Sequence, residues 1–191
     1  MNIIIRKAKV PDFLAISELD RRAWQDNRNS GFIPDGEHVW RLWVRYSTVF
    51  VAKHNKKIVG VALLFKANDC SLYLFHKIFI DKNYRGKKIG NMFFENIVNF
   101  LDREKANCLL TTDPVNAKMI HLCAKYGFNE KQLVKGYYRP DEDRLVIRRR
   151  YSEISALLRF FNDEPAKKSS SASAKMRISN NKKSNKRKPR P

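Results

Sequence analysis

The sequence predicts one domain of the α/β or α+β class, in which helices pack against a sheet. With 191 residues and 43% hydrophobic content, the chain is long enough for one core and too short for two comfortable ones. Short runs rich in β-branched and aromatic residues alternate with segments whose apolar residues recur at helical spacing. This alternation of strand-like and helix-like segments favours a mixed fold over an all-helical or all-β fold.

The first half of the chain predicts two helices and four strands. Residues 2–8, "NIIIRKA", form a short β-branched run that suits a buried first strand. An amphipathic helix then begins at Asp12, and the turn-forming residues 31–36, "GFIPDG", precede a second helix. The β-rich runs on either side of residues 54–57, "HNKK", and a third run at 70–81, "CSLYLFHKIFID", predict an antiparallel meander.

The second half predicts two more helices with strands between and after them. A helix begins after Gly90, and residues 108–113, "CLLTTD", form a short buried strand. Residues 114–128 predict a helix closed by Gly127, because glycine is favoured in the left-handed position after a helix. Residues 144–150, "RLVIRRR", predict the last strand.

Beyond residue 150 the composition changes. We expect a domain over 1–150, a short helix within 151–164 and a disordered basic tail over 165–191. The tail carries ten Lys or Arg and no acid out of a net charge of +20 for the chain. It cannot bury enough apolar surface to offset its ordering entropy.

The basic tail would attract phosphate backbones without regard to sequence. Nucleic acid, a ribosome or an anionic membrane surface are possible partners, and a merely solubilising tail is the alternative. In a nucleated cell, "KRKPRP" at the end of the tail would also serve as a nuclear localisation signal.

The cysteines and the apolar runs indicate a cytoplasmic protein. The three cysteines have no CxxC spacing, which predicts neither a disulfide framework nor a metal site. The longest apolar run, residues 58–65, is too short for a membrane span, and the N-terminus does not resemble a signal peptide.

Residues 83–94, "NYRGKKIGNMFF", place two glycines and three cations between a strand and a helix. A glycine-containing loop that leads into a helix N-terminus points several backbone N–H groups in one direction, with the positive end of the helix dipole behind them. The stretch therefore predicts an anion site. A solvated basic loop that only caps the helix is the alternative.

This stretch resembles the signature of the GNAT superfamily of acyl-CoA-dependent N-acetyltransferases. Arg85, Gly86, Ile89 and Gly90 match the form RG-x-G-[IV]-G, while Lys88 replaces the central glycine. A second segment resembles the family's N-x-x-A-x-x-L-Y-x-x-x-G-F. It matches at Asn116, Leu122, Gly127 and Phe128, has Met119 for the alanine and has Cys123 where the family usually has tyrosine.

The resemblance implies a mixed, mostly antiparallel sheet of about seven strands flanked by helices, with acetyl-CoA as co-substrate. In such a fold the loop amides bind the diphosphate of coenzyme A, and the backbone of the fourth strand holds the pantetheine arm and the thioester. Asn116 would contact the cofactor, cap a helix, or do both. The implied cofactor-binding residues are Ile78, Phe79, Ile80, Arg85, Gly86, Lys87, Lys88, Ile89, Gly90 and Asn116.

The residues that would move protons are less well marked by the pattern. Cys123 stands where the family's tyrosine protonates the departing thiolate, and Tyr126 offers a phenol one helical turn later. A proton from water is the alternative for this step, with Cys123 as a small buried hydrophobe and Tyr126 as a packing residue. The position that carries glutamate in the ribosomal-protein alanine acetyltransferases is Thr111, which cannot act as a base. His76 and Asp113 are the remaining candidates for the base, and a structural role is the alternative for His76.

Residues 136–147, "GYYRPDEDRLVI", resemble the hairpin that borders the peptide cleft in ribosomal-protein and N-terminal acetyltransferases, with Arg144 in place of alanine. The resemblance makes Tyr137 and Tyr138 candidate substrate contacts, and ordinary packing is the alternative. We expect an N-acetyltransferase acting on a protein or peptide amine. The alternative is a catalytically weak or inactive module that binds coenzyme A, or nucleic acid through its tail.

Overall fold

The computed structural model describes residues 2–25, 35–68, 71–154 and 156. The basic tail predicted over 165–191 lies outside these residues, as does most of the helix predicted within 151–164. The expected domain boundaries therefore stay predictions.

The described residues form a seven-stranded mixed sheet with helices on both faces, which confirms the predicted fold class. The strand order is β1-β2-β3-β4-β5-β7-β6, and every neighbouring pair is antiparallel except β4 and β5, which are parallel. No helix within the described ranges is long and apolar enough to cross a membrane. The elements are β1 Ile3–Lys7, α1 Phe13–Gln25, α2 Glu37–Tyr46, β2 Thr48–His54, β3 Lys57–Lys66, β4 Leu72–Ile80, α3 Ile89–Arg103, β5 Asn107–Thr112, α4 Ala117–Lys125, β6 Glu130–Val134 and β7 Arg144–Arg149.

Helices cover both faces of the sheet, and a separate apolar cluster lies between the helices and the sheet on each face. On one face, α3 buries Phe93, Phe94 and Leu101 against the sheet beside α4. On the other face, α1 and α2 bury Leu19 and Trp40. Because β3 lies under both layers, residues 58–64 are buried continuously rather than alternately.

The pattern of the sequence did not predict β6 as a separate strand. Four of its five residues are exposed, and its sequence, EKQLV, shows no apolar alternation. It lies at the edge of the sheet and pairs with β7. Backbone hydrogen bonds to one neighbour, rather than burial, define this strand.

An irregularity in β4 changes which face its side chains occupy. Leu63 pairs with Lys77, whereas Leu64 pairs with Phe75, so His76 is an extra residue opposite β3. Before this bulge Phe75 packs among the cluster under α3, and after it Lys77 contacts Asp20 of α1 on the opposite face. The bulge therefore places both His76 and Lys77 on the α1 and α2 side of the sheet.

The sheet opens between its two parallel strands. β4 pairs with β5 only through residues 72–74, while its other edge stays paired with β3 as far as Ile80. The remaining residues of β4 and the end of β5 thus border a gap in the middle of the sheet. The bulge at His76 lies where this gap begins, which fits the tendency of bulges to end strand pairing.

Candidate active site

The gap between β4 and β5 is continuous with a cleft of about 910 Å³. One wall is formed by residues 75–79 of β4, and the other by residues 110–113 and the start of α4. α1 closes the cleft on one side, and the segment before β7 contributes to its rim. The residues that line these outer parts of the cleft are Asp20, Ala23 and Trp24 of α1, Asp35 before α2, and Tyr138 and Arg144 at the rim.

The loop after β4 begins at a carboxylate that fixes the strand end. Asp81 accepts hydrogen bonds from the Asn83 backbone N–H at 3.0 Å and from Lys57 Nζ at 2.9 Å. Burial acts to raise the pKa of this carboxyl, but the Lys57 and Asn83 hydrogen bonds outweigh it and hold the pKa below its usual value. Asp81 is therefore ionised at neutral pH and anchors the short turn Lys82–Tyr84.

The predicted anion loop turns its backbone toward the start of α3. Among the described residues, the Arg85 N–H donates to the Lys82 carbonyl, and the next backbone N–H of the loop with a backbone acceptor is that of Met92, which donates to the Lys88 carbonyl. The backbone amides of residues 86–91 lie between these two bonds, at the positive end of α3. This arrangement leaves a run of donors for an anion.

Two residues give the loop its shape through positive φ angles. Gly86 has φ +77°, and a Cβ placed there meets nothing within 4 Å, so the backbone is open to an approaching group. Lys88, which stands for the signature's central glycine, has φ 61° and serves as the N-cap of α3 without a side-chain cap hydrogen bond. The fold thus accepts a side chain at 88 in the left-handed region, at a cost of about 1–2 kcal/mol.

The backbone of β4 presents alternate residues to the gap. The Asp81 N–H donates to the Val59 carbonyl at 2.9 Å, so in an antiparallel pair the Phe79 backbone faces β3 as well. The backbone groups of Ile78 and Ile80 then point away from β3, and the Ile80 carbonyl accepts a bond from Arg85 Nε at 3.3 Å. Of the predicted trio, Ile78 offers backbone to the cleft, Ile80 turns its backbone away from β3 just beyond the cleft lining, and the Phe79 side chain packs against Trp40.

The candidate proton donors lie in different environments. Cys123 is completely buried, and burial raises the pKa of its thiol to about 12. The Tyr126 hydroxyl donates to Asn91 Oδ1 at 3.4 Å, in the first turn of α3, and burial together with Glu95 raises its pKa. The structure thus places Cys123 in the core and Tyr126 beside the anion loop.

His76 is exposed on the cleft wall, and its ring packs edge-on against Trp43 with centroids 5.9 Å apart. Partial burial, followed by the neighbouring Lys77 charge, lowers the pKa of this imidazole below its ordinary value. His76 is therefore neutral at physiological pH and able to accept a proton.

The β5 side carries three of the predicted polar residues. Asp113 Oδ1 accepts the Val115 N–H at 3.0 Å, and Asn116 Oδ1 caps α4 by accepting the Met119 N–H at 3.2 Å. Both side chains also line the cleft. Thr111 Oγ1 lies 3.2 Å from the Tyr138 hydroxyl, which ties the end of β5 to the rim.

The two predicted substrate tyrosines pack edge to face, with centroids 4.7 Å apart. Tyr138 lines the cleft beneath the Arg144 guanidinium, which lies 5.2 Å from its ring and pairs with Glu142. Tyr137 supports Tyr138 from outside the cleft lining. Only Tyr138 of this pair is placed to contact a molecule in the cleft.

One side of the cleft is formed by a group that sequence patterns did not identify, which we name the acidic pocket. Asp20, Trp24, Asp35 and Lys77 line the cleft, and the ring of Trp40 lies completely buried behind them. Lys77 Nζ donates to Asp20 Oδ2 at 3.0 Å and also to Asp35 Oδ2. Trp40 Nε1 donates to the same Asp20 oxygen at 3.0 Å. One signal was available: Asp20 follows Ile16 by four residues and so falls on the apolar face of α1.

Comparisons with known proteins agree with this geometry. The family model described as "Acetyltransferase (GNAT) family" matches residues 13–128. Among solved structures, the ribosomal-protein-S18-alanine N-acetyltransferase of Escherichia coli has 20% identity and a TM-score of 0.66, with 79% of this chain and 95% of that chain covered.

Two further similar structures are complexes with acetyl-CoA or coenzyme A. A putative acetyltransferase of Salmonella typhimurium with acetyl-CoA has 17% identity and a TM-score of 0.68, covering 79% of this chain and 95% of that one. An N-acetyltransferase of Thermoplasma acidophilum in complex with coenzyme A has 16% identity and a TM-score of 0.58, covering 79% and 100%. At these identities the likeness shows a shared fold. No curated protein matches the sequence at a significant level.

Proposed function

The chain belongs to the GNAT acetyltransferase family, and on that premise we propose that it moves an acetyl group from acetyl-CoA to an amine of a protein or peptide. One observation carries the proposal. The amide-lined loop of residues 86–91 follows β4 through the short turn Lys82–Tyr84, and β4 turns the backbone of Ile78 toward the gap, so an anion site and an extended backbone edge follow one another along the chain.

The residues present fit coenzyme A. The loop offers backbone donors and the side chains of Arg85, Lys87 and Lys88 to a diphosphate, and the open space at Gly86 admits close approach of a phosphate. Ile78 and Ile80 offer peptide groups that suit the amides of a pantetheine arm. Acetyl-CoA would supply an activated acetyl group as a thioester.

In the transfer, an amine nitrogen bonds to the acetyl carbon, the carbon–sulfur bond breaks, the amine loses a proton and the thiolate gains one. The β4 amides that face the gap would stabilise negative charge on the carbonyl oxygen. We assign the role of base to His76, because it is neutral, exposed and on the cleft wall.

Water in the open cleft is our choice for the proton donor to the thiolate. The buried Cys123 thiol has a pKa of about 12, so it holds its proton more tightly than a thiol of ordinary pKa does. It would therefore not give that proton to the departing thiolate. Because the Tyr126 hydroxyl lies against the first turn of α3, we give it a part in cofactor binding.

The acceptor would enter past Tyr138, whose hydroxyl is within hydrogen-bonding distance of the Thr111 hydroxyl. An α-amine of pKa about 7.7–8.0 loses its proton more easily than a lysine of pKa about 10.4. A base as weak as His76 therefore suits an amine that is already partly neutral. The E. coli relative is described as acting on an alanine of a ribosomal protein, which supports a protein acceptor.

The alternative proposal is a module that binds coenzyme A, or nucleic acid through residues 165–191, without turnover. Three departures from the family pattern support it: Lys88 in the loop, Thr111 on β5 and Cys123 on α4. In this case the ten tail cations would give a nucleic-acid affinity that falls steeply with salt.

The test is calorimetric titration of the full chain with acetyl-CoA, followed by mass spectrometry of a peptide library incubated with both. Binding together with a mass gain of one acetyl group on an amine supports the enzyme. Binding without transfer to any amine supports the alternative, and a mobility shift with RNA at low and high salt would then measure the tail's contribution. If the folded chain does not bind acetyl-CoA, the loop of residues 86–91 is not a cofactor site, and both the enzyme and the coenzyme-A-binding module are refuted.

A further inference from the structure

The acidic pocket carries an excess negative charge inside a strongly basic protein. Among the described residues of the pocket, two carboxylates, those of Asp20 and Asp35, face one ammonium group, that of Lys77, which leaves one negative charge. His76 lines the same cleft and is neutral, since burial and Lys77 lower its pKa. In a chain of net charge +20, this pocket is a local exception on the acceptor side of the cleft.

The pocket also has hydrogen-bonding capacity that its own residues leave unused. Asp20 is 1% exposed, and its Oδ1 has no hydrogen-bond partner among the described residues. Lys77 and Trp40 both donate to the other oxygen, Oδ2. A buried carboxylate oxygen without a donor is costly, so an ammonium group that displaced part of the surrounding packing and reached this oxygen from the open side at Asp35 would gain binding free energy there.

The walls of the pocket suit an alkylammonium ion. Lys77 Nζ lies 5.4 Å from the ring centroid of Trp24 and 5.6 Å from that of Trp40, within cation–π range. Carboxylate oxygens and aromatic faces thus already hold one primary ammonium group here. Asp35 is 30% exposed, so the pocket remains open toward the cleft.

The pocket is not suited to the amine that reacts. Nucleophilic attack needs a neutral amine, whereas nearby carboxylates favour the charged form and raise an amine's pKa. It suits a second cation on the same molecule, because binding energy from a group that does not react can position the group that does.

Building on the proposed function, we propose that the acceptor is at least dicationic: a second ammonium group binds Asp20 and Asp35 while a separate amine of the same molecule is acetylated. The shared chemistry is a primary ammonium on an aliphatic stem. A free polyamine and a peptide with a lysine near its reacting amine both supply it.

The first test measures binding, so that it does not depend on turnover. The full chain, saturated with coenzyme A, is titrated with 1,4-diaminobutane and with uncharged 1,4-butanediol as a length control. Asp35→Asn removes a partly exposed charge and should weaken diamine binding about five- to tenfold. Glu37→Gln removes an equal charge two residues away, outside the cleft lining, and should leave the affinity unchanged. Equal diamine affinity in the two variants, or no preference for diamine over diol, would overturn the proposal.

The second test measures acetylation with matched acceptors. 1,4-Diaminobutane is compared with n-butylamine, and an alanyl-lysine peptide with an alanyl-norleucine peptide. The dicationic member of at least one pair should have the higher kcat/KM, and Asp35→Asn should reduce that advantage through KM. The favoured pair identifies the source of the second cation. Equal kcat/KM within both pairs would refute the inference, while charge-dependent diamine binding without any acetylation would refute the proposed function and leave the pocket assignment standing.

Discussion

Replacing Gly90 with aspartate should separate cofactor binding from folding, because it should raise the stability of the fold and lower the affinity for acetyl-CoA. Gly90 lies in the first turn of α3, and a Cβ there meets only Leu122 Cδ2, at 3.4 Å. A side chain is therefore accommodated, and replacing a helical glycine with aspartate, itself a weak helix former, stabilises by about a few tenths of a kcal/mol. A carboxylate at a helix N-terminus adds about 0.3–1 kcal/mol.

The same carboxylate should repel a bound diphosphate. For one pair of unit charges at about 6 Å and an effective dielectric constant of about 20, Coulomb's law gives about 3 kcal/mol. With allowance for screening by salt, we expect acetyl-CoA affinity to fall about ten- to a hundredfold. Gly90→Asn is the matched control, since it adds nearly the same volume without the charge.

The assay is calorimetric titration with acetyl-CoA at low and high salt, together with thermal denaturation of the free chain. Gly90→Asp should melt higher than wild type yet bind acetyl-CoA far more weakly than Gly90→Asn, and the difference should shrink at high salt. Equal affinities for the aspartate and asparagine variants would show that no phosphate lies at this loop.

Three other changes test single features of the site. Lys88→Val should lower the free energy of unfolding by about 1 kcal/mol relative to Lys88→Gly, measured by urea denaturation, because a β-branched residue tolerates φ 61° poorly; equal stabilities would remove the strain argument. Cys123→Ala should leave kcat unchanged while costing about 1 kcal/mol of stability, since the thiol is core packing; a large drop in kcat would restore its role as acid. If His76 is the base, kcat/KM should fall first as the acceptor amine becomes protonated and then more steeply below the lowered pKa of His76, which lies under 6.5, and His76→Gln should remove only this second decline without changing acetyl-CoA affinity; persistence of the second decline would exclude His76.

Local sequence signals predicted the elements that bury apolar side chains or end at special residues. Gly127 has φ +82° after α4, as the left-handed cap requires, and Asn116 caps the same helix. β6 was missed because its residues are polar and only pairing with β7 makes them a strand.

The acidic pocket shows what sequence patterns cannot supply. Lys77 and Asp20 are 57 residues apart, and nothing local couples them. Their contact depends on one inserted residue, His76, because the resulting bulge moves Lys77 from one face of β4 to the other. A simple alternation of faces along "LYLFHKIFI" places Lys77 with Phe75, under α3. Register irregularities are set by the neighbouring strand, and the strand's own sequence does not reveal them.

The gap between β4 and β5 leaves an unfinished sheet inside the protein. The backbone N–H groups of Ile78 and Ile80 should exchange their hydrogens rapidly in the free chain, because no acceptor for them lies among the described residues. A ligand that pairs with them completes the sheet as a surrogate strand. At a concentration about a hundred times its Kd, such a ligand adds about 2.7 kcal/mol of stability. The resistance of this protein to unfolding and proteolysis would then follow the supply of that ligand in its surroundings.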